Sequence, residues 1–239
     1  MTSRPTNASP LVYARGAGLL GLIILASGSF AGFVHTRLVV PGDAVTTANR
    51  IMASELLFRL GFVSALIMYT VFVLYVVVLY RLLKPVSETQ ALMMLAFALV
   101  GVPIAMLNQV NQSAALQLLS GADYLQTFSA DQIHAQVMLF LKLHGQGNLI
   151  AVILWGLWLF PLGLLVFQSG YFPRILGVLL MIGCFGWLVL FVQRFFFPSY
   201  EALAYARFAA NIAELSWVLW LLIKGVNAEE WKRRALESA

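Results

Sequence analysis

The sequence predicts an all-α protein, a polytopic membrane bundle with six transmembrane helices. Three observations predict it. Of 239 residues, 61% are hydrophobic and only 10% charged, against about 45–50% and about 25% in soluble domains. The mean hydropathy of +0.87 suits a chain that lives in lipid. The apolar residues gather into six runs, each near the roughly 20 residues that span a bilayer as a helix. Six such spans use about half the chain, so residues 1–239 read as a single six-span domain with no separate soluble part.

The first run, about residues 16–34, follows a short polar tail. Ala26-Ser27-Gly28 resembles a cleavage site, but the apolar run continues through Phe30 to Val34, so it reads as a retained span. The second, about 56–82, is long enough to tilt or protrude. The third, about 91–107, follows Ser87-Glu88-Thr89, a helix-start pattern. The fourth is about 149–167, the fifth 175–192 and the sixth 208–223. Thr46-Thr47 precedes a helical pattern that runs straight into the second span. Ser129 and Gln132 have capping-box spacing and open a helical stretch leading into the fourth span. A helix from about 130 to 167 would exceed the membrane thickness at about 1.5 Å per residue. It must project or break, and Gly145 and Gly147 mark the expected break. The connection between spans three and four is too long to be idle and is expected to form a helical outer cap.

Lys and Arg placement sets the orientation. With both termini cytoplasmic, the inner side holds Arg4, Arg15, Arg81, Lys84, Arg174, Lys224, Lys232, Arg233 and Arg234. The outer side holds Arg37, Arg50, Arg59, Lys142, Arg194 and Arg207. Both tight hairpin loops and the basic tail then fall inside. The net charge of +5 does not indicate nucleic acid, because the basic residues punctuate apolar segments instead of clustering on one face. Contact with anionic membrane lipid is the expected role. The single cysteine, Cys184, excludes an intrachain disulfide, a Cys-ligated zinc site and an iron–sulfur cluster. Spans two–three and four–five are both hairpins with a tight basic loop, a weak hint of an internal repeat.

Ionisable and polar residues inside spans are costly and are functional candidates. Here they fall in the outer halves. Glu55 and Arg59 are four apart on one helix face. Asn108, with Asn111 and Gln112, ends the third span; His144, Gln146 and Asn148 begin the fourth; Gln193 and Arg194 end the fifth. Arg207, Asn211 and Glu214 fall at i, i+4 and i+7 on the sixth, one stripe. Glu214 is deepest, with almost uninterrupted apolar sequence from Leu215 to Ile223. A carboxyl there must be neutralised by a proton or a cation, and Arg59 is the best candidate partner. The expected ligand-binding set is therefore Glu55, Arg59, Asn108, His144, Asn148, Arg194, Arg207, Asn211 and Glu214.

The histidines do not suggest a cofactor. His134 and His144 are about 15 Å apart along one helix, and His35 ends the first span, so no metal or haem ligand set is expected. The sequence has no phosphate loop, no HExxH and no GxSxG. Small residues from Gly16 to Gly21 and from Ser27 to Gly32 let the first span pack closely. Trp155, Trp158, Phe160, Trp187, Phe195–Phe197, Trp217 and Trp220 read as interfacial belt and packing, with some able to line an apolar pocket. Pro161 kinks the fourth span, Gly163 admits a neighbour there, and Pro173 starts the fifth helix.

The most distinctive stretches are Trp155-Gly-Leu-Trp-Leu-Phe-Pro-Leu-Gly163 and Gln168-Ser-Gly-Tyr-Phe-Pro-Arg-Ile-Leu-Gly-Val-Leu-Leu-Met-Ile-Gly183. With Phe58-Arg-Leu-Gly61, Leu79-Tyr-Arg-Leu-Leu-Lys-Pro85 and the ending Glu214 to Val226, the chain resembles the bacterial integral-membrane family called domain of unknown function 4386. The resemblance covers about residues 10–227. It implies a multi-span protein of the bacterial cytoplasmic (inner) membrane, and it brings no activity. It places Arg59, Arg174 and Glu214 in matching motifs without a role.

The leading functional reading is binding of a small or lipid-like amphipathic ligand in an outward-facing polar and aromatic cavity, with no cofactor. Glu214 and Arg59 would orient the ligand's polar end. The alternatives are a small proton-linked transporter that uses Glu214, a non-catalytic subunit beside a membrane-protein partner, and a membrane enzyme with His144 as base. The enzyme reading lacks a nucleophile, and the transporter reading lacks a polar inward path below Glu214.

Overall fold

A computed structural model describes residues 9–200 and 205–237; Arg4, assigned to the inner side by its charge, lies outside them. Among the described residues all regular structure is helical: α1 (Pro10–Leu38), α2 (Ala44–Ala53), α3 (Glu55–Leu83), α4 (Glu88–Asn108), α5 (Val110–Leu118), α6 (Ala130–Leu157), α7 (Leu159–Gln168), α8 (Arg174–Phe196), α9 (Ala206–Ile223) and α10 (Ala228–Glu237). Six stretches are long and apolar enough to cross a membrane: Pro10–Leu38, Glu55–Leu83, Glu88–Leu118, Ala130–Gln168, Arg174–Phe196 and Ala206–Ile223. Each contains one predicted run and extends it into flanking polar residues. The protein is an integral membrane protein.

Several helix starts follow the local sequence. Ser87 Oγ accepts the Gln90 N–H at 3.4 Å as α4 begins. The capping box forms as its spacing predicts: Gln132 Oε1 accepts the Ser129 N–H at 2.8 Å, and Ser129 Oγ accepts the Gln132 N–H at 3.3 Å. Pro173 precedes α8, where its fixed φ suits a helix entry and its missing N–H costs nothing.

Two local expectations are corrected. The helix before the second span begins at Ala44, capped by Asp43, so it includes Thr46 and Thr47 where a start after them was expected, and Ser54 separates it from α3. The fourth helix does not break at Gly145 or Gly147. It runs unbroken to Leu157, and the interruption falls at Trp158. The cause is Pro161, which has no N–H for the Leu157 carbonyl four residues back. The segment joining spans three and four is helical, as expected: it holds α5 and a 3₁₀ turn at Asp123–Leu125, and its neighbours extend into it.

The chain forms two compact units. The first comprises Ile23–Val71 and Gly101–Ala151. Its core gathers Val34, Leu38, Ile51 and Phe58 with Ala115, Val137 and Leu141, so the joining segment buries its apolar face on the ends of α1, α2 and α3. Thr47 is fully buried. Its hydroxyl accepts the Val40 N–H at 2.9 Å and donates to the Val40 carbonyl at 3.2 Å, which ties α2 to the turn before it.

Asp43 accepts the Thr46 N–H at 2.9 Å. Hydrogen bonding to Thr46, with a smaller contribution from the Arg50 charge, holds its carboxyl below the usual range. Its folded pKa is thus below its unfolded one, so this stabilisation is complete above the unfolded value and fades as pH falls through the folded one. Hydrogen exchange at Thr46, corrected for intrinsic rate, should show the first turn of α2 loosening below about pH 4. Asp43→Asn keeps a cap without a titrating group and should abolish that pH dependence. Equal loosening in both proteins would remove Asp43 as the cause.

The second unit comprises Met1–Leu22, Phe72–Val100 and Val152–Ala239. Helices α7 and α8 meet backbone to backbone at Gly163 and Gly177. A Cβ on Gly163 would lie 2.7 Å from the Gly177 oxygen, and one on Gly177 would lie 2.6 Å from the Gly163 oxygen. The Leu82 carbonyl near the end of α3 accepts from Tyr171 Oη at 2.9 Å and from Trp231 Nε1 at 2.8 Å. Arg234 adds a bond to the Gln168 carbonyl at 3.0 Å. Helix α10 is therefore fastened to the α3 end and to the α7–α8 turn.

Candidate functional site

Two polar centres emerge, one in each unit. In the first, α4 ends at Asn108 and α5 starts at Val110. The turn tightens there: the Gln112 N–H donates to the Gln109 carbonyl at 3.0 Å in place of Asn108, whose carbonyl instead accepts from Asn111 Nδ2 at 3.2 Å and keeps a second lone pair. Asn108 itself is 8% exposed. Its Nδ2 donates to the His144 carbonyl at 2.8 Å and to Asn148 Oδ1 at 3.0 Å. Its Oδ1 accepts from Asn111 Nδ2 at 2.9 Å.

These bonds orient the whole cluster. The His144 carbonyl can only accept, which fixes the Asn108 amide; Asn108 in turn makes Asn148 Oδ1 the acceptor. The Asn148 amino group then faces His144 Nε2 at 3.0 Å, and Gln112 Nε2 lies 2.9 Å from the same atom. Nε2 must carry the lone pair, so the ring proton sits on Nδ1, which faces the Asn108 carbonyl at 3.3 Å. Asn108 Nδ2, 3.3 Å from Nδ1, is then donor beside donor and carries no bond. The polar atoms of Asn108, His144 and Asn148 are engaged with one another. Gly147 supplies the space, since a Cβ there would fall on the Asn108 amide.

The centre of the second unit is Glu214, half-buried on α9. Its Oε1 accepts from Trp187 Nε1 at 2.9 Å. Among the described residues of its unit, no basic side chain is within ion-pair distance of it. Small residues bring the two helices together. A Cβ on Gly186 would lie 2.6 Å from the Ala206 carbonyl oxygen, and one on Gly183 would lie 3.2 Å from Ala210 Cα. Trp187 follows Gly186 and Glu214 follows Ala213, so the close α8–α9 approach carries indole to carboxyl. Around them lie Tyr75 and Trp217, 3% and 1% exposed. Tyr75 lies near the Glu214 carboxyl, and its hydroxyl is the nearest acceptor to the buried Trp217 N–H, though the two fall short of full hydrogen-bond geometry. The Trp158 ring is 6.2 Å from Tyr75 and 5.2 Å from Phe72, and Phe172 packs on Trp217 at 4.9 Å.

The family described as Domain of unknown function (DUF4386) matches residues 16–225. The chain belongs to this family. An uncharacterized protein of Archaeoglobus fulgidus is 29% identical over 154 residues, covering 64% of this chain and 76% of its own. No solved structure matches.

The other expected site residues of this DUF4386 protein fall in both units: Glu55, Arg59, Asn108, His144 and Asn148 in the first, Arg194, Arg207 and Asn211 in the second. Glu55 and Arg59 pair with each other at 2.6 Å, more than half exposed. Glu214 thus has an indole partner where a guanidinium was expected. Arg194 is exposed at the end of α8. Arg207 and Asn211 are exposed on α9, two turns and one turn before Glu214; Arg207 lies 5.5 Å over the Phe208 ring. Tyr75 is absent from the set expected from sequence, and Trp187 and Trp217 belong to the site where belt and packing were expected. The glycine just before Trp187 was the available signal. Sequence also gives no sign that the His35 ring lies 6.2 Å from that of His144.

Proposed function

We propose that this membrane protein binds a small or lipid-like ligand at Glu214, in the cytoplasmic membrane and with its basic hairpin loops inside. One observation carries the reading: a carboxyl midway along an apolar span, held by one indole and matched by no basic side chain of its own unit among the described residues. Charge at that depth is retained only where something compensates it. The aromatic side chains beside it offer an apolar body a surface, and Asn211 and Arg207 line an approach along the same helix. The Asn108–His144–Asn148 cluster, saturated within itself, acts in this reading as a brace.

The test is native mass spectrometry of gently solubilised protein beside Glu214→Gln, which keeps an oxygen for Trp187. A small retained mass should appear in the wild type and fall at least tenfold in the variant. Bare chains in both, or equal adducts in both, would defeat the proposal.

A further inference from the structure

We propose that Glu214, Trp187, Tyr75 and Trp217 form a site for an organic ammonium ion that carries an acceptor oxygen. This rests on the reading of Glu214 as a ligand site and names the chemistry of its occupant.

The first argument is charge. A carboxyl in an apolar span is neutralised by a proton or by a cation, and its own unit supplies no cation among the described residues, which leaves that place open to a ligand's. The second is the donor set. Besides Glu214 the neighbours are two indoles and a phenol. Indole nitrogens donate and do not accept, so these groups make a poor cage for a bare metal ion, which wants several oxygen ligands. Aromatic rings suit a different cation: trimethylated or alkylated nitrogen binds the electron-rich faces of Trp and Tyr. The third argument is the Trp217 N–H. It is buried, it meets no acceptor at full hydrogen-bond geometry, with the Tyr75 hydroxyl its nearest candidate, and it lies one turn beyond Glu214 on the same helix face. Its neighbour Tyr75 is within electrostatic reach of the carboxyl as well. An oxygen close to the ammonium nitrogen would satisfy that N–H while the nitrogen meets Glu214.

The same head occurs on free amino alcohols and on choline- or ethanolamine-bearing lipids. Three probes separate the requirements: choline, its uncharged isostere 3,3-dimethylbutan-1-ol, and butyltrimethylammonium, which has the charge without the oxygen. Binding is followed by tryptophan fluorescence of the full chain in detergent. Choline should bind saturably and at least tenfold more tightly than the isostere, and the advantage should vanish in Glu214→Gln. Butyltrimethylammonium should bind less tightly than choline, and Trp217→Phe should erase that difference.

If the isostere binds as well as choline, the ammonium class is wrong while the ligand reading stands. The ammonium class is equally wrong if no probe binds but the Glu214-dependent native mass is present. If neither is seen, both fail. The wild-type comparison of choline with its isostere needs no variant, so a misfolded Glu214→Gln leaves the test decisive. Competition by phosphatidylcholine nanodiscs, absent with phosphatidylglycerol, would assign the head to a lipid; no competition would assign it to a free amine.

Discussion

Asn108→Leu should destabilise the folded chain by about 2–4 kcal/mol. Leucine keeps the branched shape and removes every polar atom. An interhelical hydrogen bond in a membrane protein is worth only about 0.6 kcal/mol on average, so the three amide bonds of Asn108 account for about 2. The remainder comes from stranding Asn148 Oδ1, because an orphaned buried polar group costs about 1–3 kcal/mol. Gly147→Ala should cost a similar amount, since its Cβ falls on the same amide. The double variant should lose clearly less than the sum, because both changes break one network. Gly145→Ala, which meets open space in the same helix, should cost nothing and gain up to about 1 kcal/mol from helix propensity. Reversible unfolding in mixed micelles measures all four. A loss below about 1 kcal/mol for Asn108→Leu, or strict additivity with Gly147→Ala, would show that the cluster is not a brace.

The same residues show how far the sequence could be read. The six spans were legible because lipid demands about 20 apolar residues in a row, and that demand is local. The capping box at Ser129 and Gln132 was legible for the same reason: its partners lie three residues apart. What failed depended on contacts made across the chain. Gly145 and Gly147 look like punctuation in sequence, yet the helix passes through them, and Gly147 is small to make room for an asparagine on another helix. The real interruption, at Trp158, was foreshadowed by Pro161 three residues later. The helix that Asp43 caps starts four residues earlier than the apolar pattern after Thr46-Thr47 suggested.

At the candidate site the carboxyl was legible and its partner was not. Glu214 stands out against its apolar surroundings in any single sequence. Arg59 was the expected partner because opposite charge is the only pairing that sequence displays. It is instead satisfied within its own helix by Glu55, an i,i+4 pair that the spacing had already announced. Trp187 is 27 residues from Glu214, and its indole reaches the carboxyl only because two helices come closer than ordinary side chains allow.

That dependence makes Gly186→Ala the sharpest test of how the site is built. Alanine is a better helix former than glycine by about 1 kcal/mol, so on propensity alone the substitution should stabilise α8. The new Cβ, however, would sit 2.6 Å from the Ala206 carbonyl oxygen, a backbone atom that cannot swing aside. Relief requires α8 and α9 to separate, and overpacking of this kind costs about 1–3 kcal/mol. A net loss of about 1–2 kcal/mol is expected, together with a weakened Trp187–Glu214 bond and loss of any Glu214-dependent ligand mass. Gly183→Ala is the control. Its Cβ would meet Ala210 Cα at 3.2 Å and the Ala213 methyl at 3.3 Å, contacts that yield with a shift of a few tenths of an ångström. There the propensity gain and the crowding nearly cancel, and the ligand mass should persist. If Gly186→Ala proves as stable as Gly183→Ala and keeps the same adduct, close α8–α9 packing is not what sets the carboxyl against the indole.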